Sequence, residues 1–258
     1  MEIVLKNMEG NSLYKLNTHL SSSNIYGFYG EGKEEFLGLL KDFSFDKGII
    51  TVDNERLLKK DYPSFTRKIK VLEELVFDTV EQELKSFIIE NKLELKDENE
   101  KISTALKLVG LANNYLTRNI NSLSTVEKKL VALSKMLLGD YEILIIDDLF
   151  ELLDRKLRQK IYRLLIKLKE KKNIIILLGS KDMDIVYQYT DRMIVFDHKE
   201  IFLDIMSKEI INHLDQLTEH NIDVPDILMI TYKAKQKGIK IDYHKDIRDL
   251  IKDVYKHV

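Results

Sequence analysis

A short run near the N-terminus carries the residue types best suited to chemistry. Residues 27–35 read Gly27-Phe28-Tyr29-Gly30-Glu31-Gly32-Lys33-Glu34-Glu35. Gly27, Gly32 and Lys33 fit the spacing G-x-x-x-x-G-K-[ST] of a phosphate-binding loop. Backbone amides around Gly30 and Gly32 can form an anion-binding nest, and Lys33 can reach a β- or γ-phosphate. The hydroxyl that should follow the lysine to bind Mg²⁺ is replaced by Glu34. A carboxylate about 5 Å from a phosphate costs about 3 kcal/mol per charge pair at an effective dielectric of about 20. Glu34 and Glu35 also suit the positive end of a helix dipole, so helix stabilisation is preferred over Mg²⁺ ligation for both.

A second candidate is Ile143-Leu144-Ile145-Ile146-Asp147-Asp148, an apolar strand ending in acid. Asp147 would hold Mg²⁺ through water and Asp148 would polarise an attacking water as the catalytic base. The usual second acid in such a pair is Glu. Asp148 is one methylene shorter, and a base misplaced by about 1 Å can lose about 100-fold in rate. Taken alone, these residues also fit a buried strand followed by two exposed loop acids.

The elements that must position these groups follow from periodicity. Ile25–Tyr29 reads as a buried strand entering the loop, and 34–41 as the helix leaving it. Further strands are expected at 48–52, 68–72, 142–147, 173–178 and 192–196. Helices are expected over 79–110, 127–138 and 155–171. This alternation predicts a parallel sheet covered on both faces. The tail from Ser207 turns helical and charged, as a small appendage would.

At 258 residues and 44% hydrophobic, the chain can bury one large α/β core. A net charge of −2 argues against bulk nucleic-acid binding. The lack of cysteine excludes disulfides and thiolate metal sites. No signal peptide or membrane-spanning run is legible, so a cytoplasmic protein is expected, reaching any membrane through partners.

The two acid- and lysine-bearing motifs, in this order and with a helical insert between them, resemble an ABC-type ATPase. That resemblance implies a P-loop NTPase core with a RecA-like sheet, ATP and Mg²⁺ as ligands, and further motifs downstream. The family's LSGGQ signature falls at Leu123-Ser124-Thr125-Val126-Glu127, where the two glycines and the glutamine are absent. β-Branched Thr125 and Val126 block the close backbone approach that glycine allows. What remains reads as a capping box, Ser124-x-x-Glu127. The D-loop position, Leu152-Leu153-Asp154, matches. At the H-loop, Ser180-Lys181-Asp182-Met183-Asp184 carries Lys181 where the family has a histidine facing the γ-phosphate. No Q-loop glutamine is identifiable near Val71–Val76, and no adenine-stacking aromatic precedes Glu9.

The tail narrows the resemblance. Asn221-Ile222-Asp223-Val224-Pro225, then Ile230-Thr231-Tyr232-Lys233-Ala234 and Lys237-Gly238-Ile239, is similar to the C-terminal appendage of energy-coupling-factor transporter ATPases. The expected organisation is an ABC ATPase-like domain at 1–204, with its helical subdomain at about 78–122, and a dimerisation appendage at 205–258. The resemblance implies a second ABC ATPase subunit, in a homo- or heterodimer, and a transmembrane T subunit. The T subunit's groove would lie near Glu73, Glu74, Asp78 and Glu81, which otherwise read as a solvated helix face. Such a protein would be peripheral on the inner face of the cell membrane. With the Mg²⁺ hydroxyl, signature glycines and histidine all replaced, a pseudo-ATPase subunit with an assembly or regulatory role is expected. A slow but genuine hydrolase and a scaffold that has left transport are the alternatives. An internal partner for Lys33, Asp147 before Asp148, is also expected.

Overall fold

The structure, a computed structural model, describes residues 1–94 and 96–257. Leu95, within the stretch expected to be helical, and Val258, at the end of the tail, lie outside them. The chain opens with a hairpin the periodicity did not announce, β1 (Glu2–Gly10) and β2 (Leu13–Ser21). Asn11 and Ser12 turn it at φ 45 and 70, the left-handed conformation that matches strand twist. β3 (Ile25–Gly30) follows, then α1 (Lys33–Asp42), β4 (Lys47–Val52) and the short β5 (Glu55–Arg56). A single helical turn, α2 (Tyr62–Thr66), leads to β6 (Ile69–Val71).

The helical insert is α3 (Val80–Glu90) and α4 (Glu98–Val109), and α5 (Thr125–Leu138) returns the chain to β7 (Ile143–Asp147). α6 (Arg155–Lys172), β8 (Ile175–Gly179), α7 (Met183–Tyr189), β9 (Arg192–Asp197) and β10 (Glu200–Met206) complete the core. The tail holds α8 (Leu214–Glu219), α9 (Asp226–Gln236) and α10 (Ile247–His257).

Two sheets result. The central one has six strands in the order β10-β9-β3-β8-β7-β6, parallel except for β10, which pairs antiparallel with β9. The second is antiparallel, β2-β1-β4-β5. The strand expected at 48–52 is present, but in this second sheet and not in the parallel one. One core lies between the two sheets around α1 and includes Phe28, Phe36 and Phe196. Another fills the opposite face of the central sheet with the apolar stripes of α3 to α6. A third joins the tail to the body, with Leu214, Leu217, Ile227 and Leu250 against Val186, Met193 and Val195. β10 extends to Met206, two residues past the boundary expected at 204. The architecture is the α/β fold of an ABC-type P-loop NTPase, with helical insert and helical tail.

Candidate functional site

The ends of β3, β7 and β8 lie side by side because these strands are parallel neighbours. Lys33 is the first residue of α1, Asp147 ends β7 and Lys181 follows β8, so the order of strands alone gathers them. Lys33 is buried, 2% exposed, and its Nζ lies 2.7 Å from Asp147 Oδ1 and 3.2 Å from Asp148 Oδ1. The internal neutralisation of Lys33 is therefore observed, with Asp147 the nearer partner. Lys181 Nζ sits 3.1 Å from Glu34 Oε1 and 3.8 Å from Asp148 Oδ2. The Glu34 hydrogen bond first, and the Asp148 charge second, hold the Lys181 ammonium above its ordinary pKa. Asp148 stands at φ 49, which swings its carboxylate between the two lysines. The acids at 34, 147 and 148 and the lysines at 33 and 181 thus form one alternating chain of charge.

The loop at 27–33 is tighter than its spacing implies. β3 runs on through Gly30, paired with Phe196 of β9, and α1 begins at Lys33. Only Glu31 and Gly32 connect them. The sequence reading opened the loop at Gly27, but Gly27 is a paired strand residue against Val186 and Thr190 of the α7 end, where a side chain would collide. The reason is the loop's own aromatic residues. Phe28 is fully buried and stacks on Phe36, with ring centroids 5.4 Å apart. Tyr29 donates from Oη to Asp223 Oδ2 at 2.5 Å, and burial followed by this bond raises its phenol pKa. Gly30 and Gly32 hold φ 96 and 119, and a Cβ at Gly30 would run into the Phe196 carbonyl. Glu34 and Glu35 occupy the first turn of α1, where they meet the helix dipole; Glu35 also pairs with Lys199 at 3.4 Å. The cleft bounded by these groups holds about 500 Å³.

Leu123, Ser124, Thr125, Val126 and Glu127 do not join this cleft. Ser124 caps α5: its Oγ accepts from Glu127 N at 3.3 Å and its N–H donates to Glu127 Oε2 at 2.8 Å. Tyr115 Oη donates to Glu127 Oε1 at 2.5 Å, and this bond, before those from Ser124, lowers the Glu127 carboxyl to about 2. Arg118 lies 3.6 Å from the same oxygen. The capping-box reading is the one the geometry carries.

Glu151 and Asp223 shape the site's surroundings, and Glu83 organises the helical insert. Glu151 accepts from Ser180 Oγ and, at 2.9 Å, from Lys181 N, so it fixes the segment bearing Lys181. Its second oxygen is buried with no partner among the described residues. Asp223 reaches the loop from the tail. Glu83 is buried in the helical insert, pairs with Lys135 at 2.6 Å and accepts from Val76 N and Phe77 N. The sequence offered one signal for them: Asp223 stands in the tail segment already singled out. Glu73 and Glu74 line a hollow of about 270 Å³ with Lys128 and Lys129. Among the described residues no helix is long and apolar enough to cross a membrane.

Comparison with known proteins agrees with this geometry. Energy-coupling factor transporter ATP-binding protein EcfA2 of Mycoplasma capricolum is 29% identical over 244 residues, 88% of this chain and 82% of the relative. The protein of the same name from Mycoplasma mobile is 24% identical over 255 residues, 93% and 80% of the two chains. The solved cbiO1 of Clostridium perfringens, part of the ABC transporter complex cbiONQ, superposes with a TM-score of 0.70 at 20% identity, covering 89% of this chain and 98% of that one. An ATP-binding cassette solved as a post-hydrolysis dimer bound to ADP and Pi superposes with a TM-score of 0.68 at 19% identity, covering 80% and 98%. The family model described as ABC transporter matches residues 15–151. Those residues include the loop at 27–33, the capped helix at 125–138 and the acids at 147 and 148, and this chain belongs to the ABC transporter family.

Proposed function

We propose that this chain is the ATP-binding-cassette subunit of an energy-coupling-factor-type uptake transporter, and that its own site is a pseudo-ATPase site kept for assembly or regulation. The transporter type is supported by the Mycoplasma relatives and by the helical tail with its Asn221–Pro225 segment. The pseudo-ATPase reading is carried by one observation, the contact between Glu34 and Lys181. These are the two positions where the family resemblance puts a Mg²⁺-binding hydroxyl and a γ-phosphate-facing histidine. Here they neutralise each other, while Lys33 is already satisfied by Asp147 and Asp148. On this reading the residues so arranged fit Mg-ATP poorly, because the Glu34 carboxylate stands where the resemblance puts the metal-binding hydroxyl.

The proposed partners are a second ABC ATPase subunit, as a homo- or heterodimer, and a transmembrane T subunit, which would bring the chain to the inner face of the cell membrane. Slow but genuine hydrolysis, using Lys33, Asp147 and Asp148, is the second reading, favoured by the gathering of these three residues at neighbouring strand ends. Phosphate release by the purified chain separates the two. The expected rate is about 100-fold or more below that of an intact homologue, since a misplaced base alone can cost that much. Mg²⁺-dependent turnover at an ordinary rate, abolished by Lys33→Ala, overturns the pseudo-ATPase reading. Failure to co-purify with a co-expressed T subunit overturns the transporter assignment.

A further inference from the structure

Helix α6 carries positive charge that its own fold does not use. Arg155, Arg158, Lys160, Lys169 and Lys172 each find a partner: Asp246, the Phe150 carbonyl, the Lys107 carbonyl, Asp191 and Asp140. Lys156, Arg163, Lys167 and Lys171 have no ion pair or hydrogen bond among the described residues, and all four are exposed. Steps of seven, four and four residues put them on one stripe, about 22 Å long at 1.5 Å per residue. Helix stability accounts for Lys171 in the last turn, where a cation suits the dipole, but not for the other three. Like charges four apart weaken a helix, and Lys156 lies in the first turn, where a cation opposes the dipole.

Lys156, Arg163 and Lys167 of this stripe line a hollow of about 670 Å³ between the C-terminal end of α4 and α6. Its floor is apolar, formed by Leu108, Leu157 and Leu164, and Leu108 is 44% exposed. Asp154 is the one acid among the residues lining it. Lys160, tied to the end of α4 at 3.0 Å, holds the two helices at this separation.

We propose that this hollow docks an acidic amphipathic helix of a partner protein, its apolar residues on the leucine floor and its carboxylates along the cationic stripe. Charge complementarity selects an acidic partner, on a chain whose net charge is −2. The recessed apolar floor selects an amphipathic helix over a nucleic acid, which has no aliphatic groups to fill it, and over a flat lipid surface.

The test uses the full chain and a synthetic helical peptide of about 16 residues, the stripe's length at 1.5 Å per residue, with leucines on one face and glutamates beside them. Controls are the same peptide with lysines for glutamates, a DNA oligonucleotide and phosphatidylserine vesicles. The glutamate peptide is expected to bind, and amide exchange to slow around Leu108 and along α6. Affinity should fall about tenfold or more, roughly 1.4 kcal/mol, in the combined variant K156E/R163E/K167E, and comparably in Leu108→Asp. High salt should weaken it as well. If charge reversal impairs folding, K156Q/R163Q/K167Q serves in its place, with thermal unfolding as the check. The proposal is overturned if the glutamate peptide does not bind, if the charge variants bind it unchanged, or if the lysine peptide, the oligonucleotide or the vesicles bind this stripe as tightly.

Discussion

At Lys33, burial and pairing act together. The ammonium is out of water, while its partners Asp147 and Asp148 remain 31% and 41% exposed. Removing one member of a wholly buried pair costs about 3–5 kcal/mol, and the solvation of the two acids lowers that figure here. Lys33→Met is expected to destabilise the chain by about 1–3 kcal/mol in urea unfolding at neutral pH, which an unchanged midpoint would contradict. The contact between Glu34 and Lys181 differs in kind. Both side chains are more than half exposed, so it adds at most about 1 kcal/mol to stability. On the proposed reading its weight falls on binding, because the family resemblance puts the Mg²⁺-binding hydroxyl and the γ-phosphate-facing histidine at these two positions. Glu34→Ser with Lys181→His should raise Mg-ATP affinity by about tenfold or more in calorimetry, given the roughly 3 kcal/mol at stake for one misplaced carboxylate. Equal affinity before and after would remove the charge argument. The members of the charged cluster were legible from sequence as motif positions and the Lys33–Asp147 pairing was expected, whereas the Glu34–Lys181 contact depends on the folded placement of β8 beside α1. Glu151 and Glu83 were not, because neither belongs to a spaced motif and each acts through backbone amides brought near by folding.

At the scale of elements, α5 shows a motif position turned to structural use. Glu127 accepts from Tyr115, Ser124 and the Ser124 amide, which hold its carboxyl at about 2, below the ordinary 4.5. A depressed acid contributes stability that is complete above the unfolded value and is lost as pH falls through the folded one. The stability gap between wild type and Glu127→Gln should therefore be constant at neutral pH and close between about pH 4.5 and 2, in urea midpoints taken across that range. A gap that persists at pH 2 would assign the effect to shape and not to charge. Glu83 performs a comparable task for the segment before α3. Glu83→Ala should cost about 3–5 kcal/mol, leaving Lys135 buried and unpaired, and should speed amide exchange at Val76 and Phe77. Strands buried on both faces and amphipathic helices were readable because their periods are uninterrupted. β1 and β2 were not, since Asn7 at φ 48 and Lys15 at φ 50 shift the pairing register and break the period of two. The helical stretch expected over 79–110 is two helices, the first ending at Glu90 just before Lys92 takes φ 52.

At the scale of the whole molecule, the tail is fastened to the body at points that bear on the site. Asp223 holds Tyr29 of the loop at 2.5 Å, Asp246 holds Arg155 at 2.8 Å, and Lys245 donates to the Thr190 carbonyl at 2.7 Å. Its apolar residues also share a core with α7 and β9. Truncation after Asp204 would cut β10 and strip that core, so any loss of association would be mixed with loss of folding. The outward face of α10 offers a cleaner probe. Ile251 and Tyr255 lie one turn apart and are 47% and 81% exposed, although large apolar groups of this kind are costly to leave in water. If the tail joins this chain to a second ABC subunit, that face is where burial would contribute most. Ile251→Asp with Tyr255→Asp should then lower the associated fraction in sedimentation velocity, with ATP present or absent, while the thermal midpoint moves little because neither side chain belongs to the core. Nucleotide should matter less than these two residues, since the cleft at Lys33 is neutralised from within and its signature segment is committed to capping α5. An unchanged sedimentation profile in the double variant would move the interface elsewhere, and strong ATP dependence would restore the nucleotide to the centre of assembly.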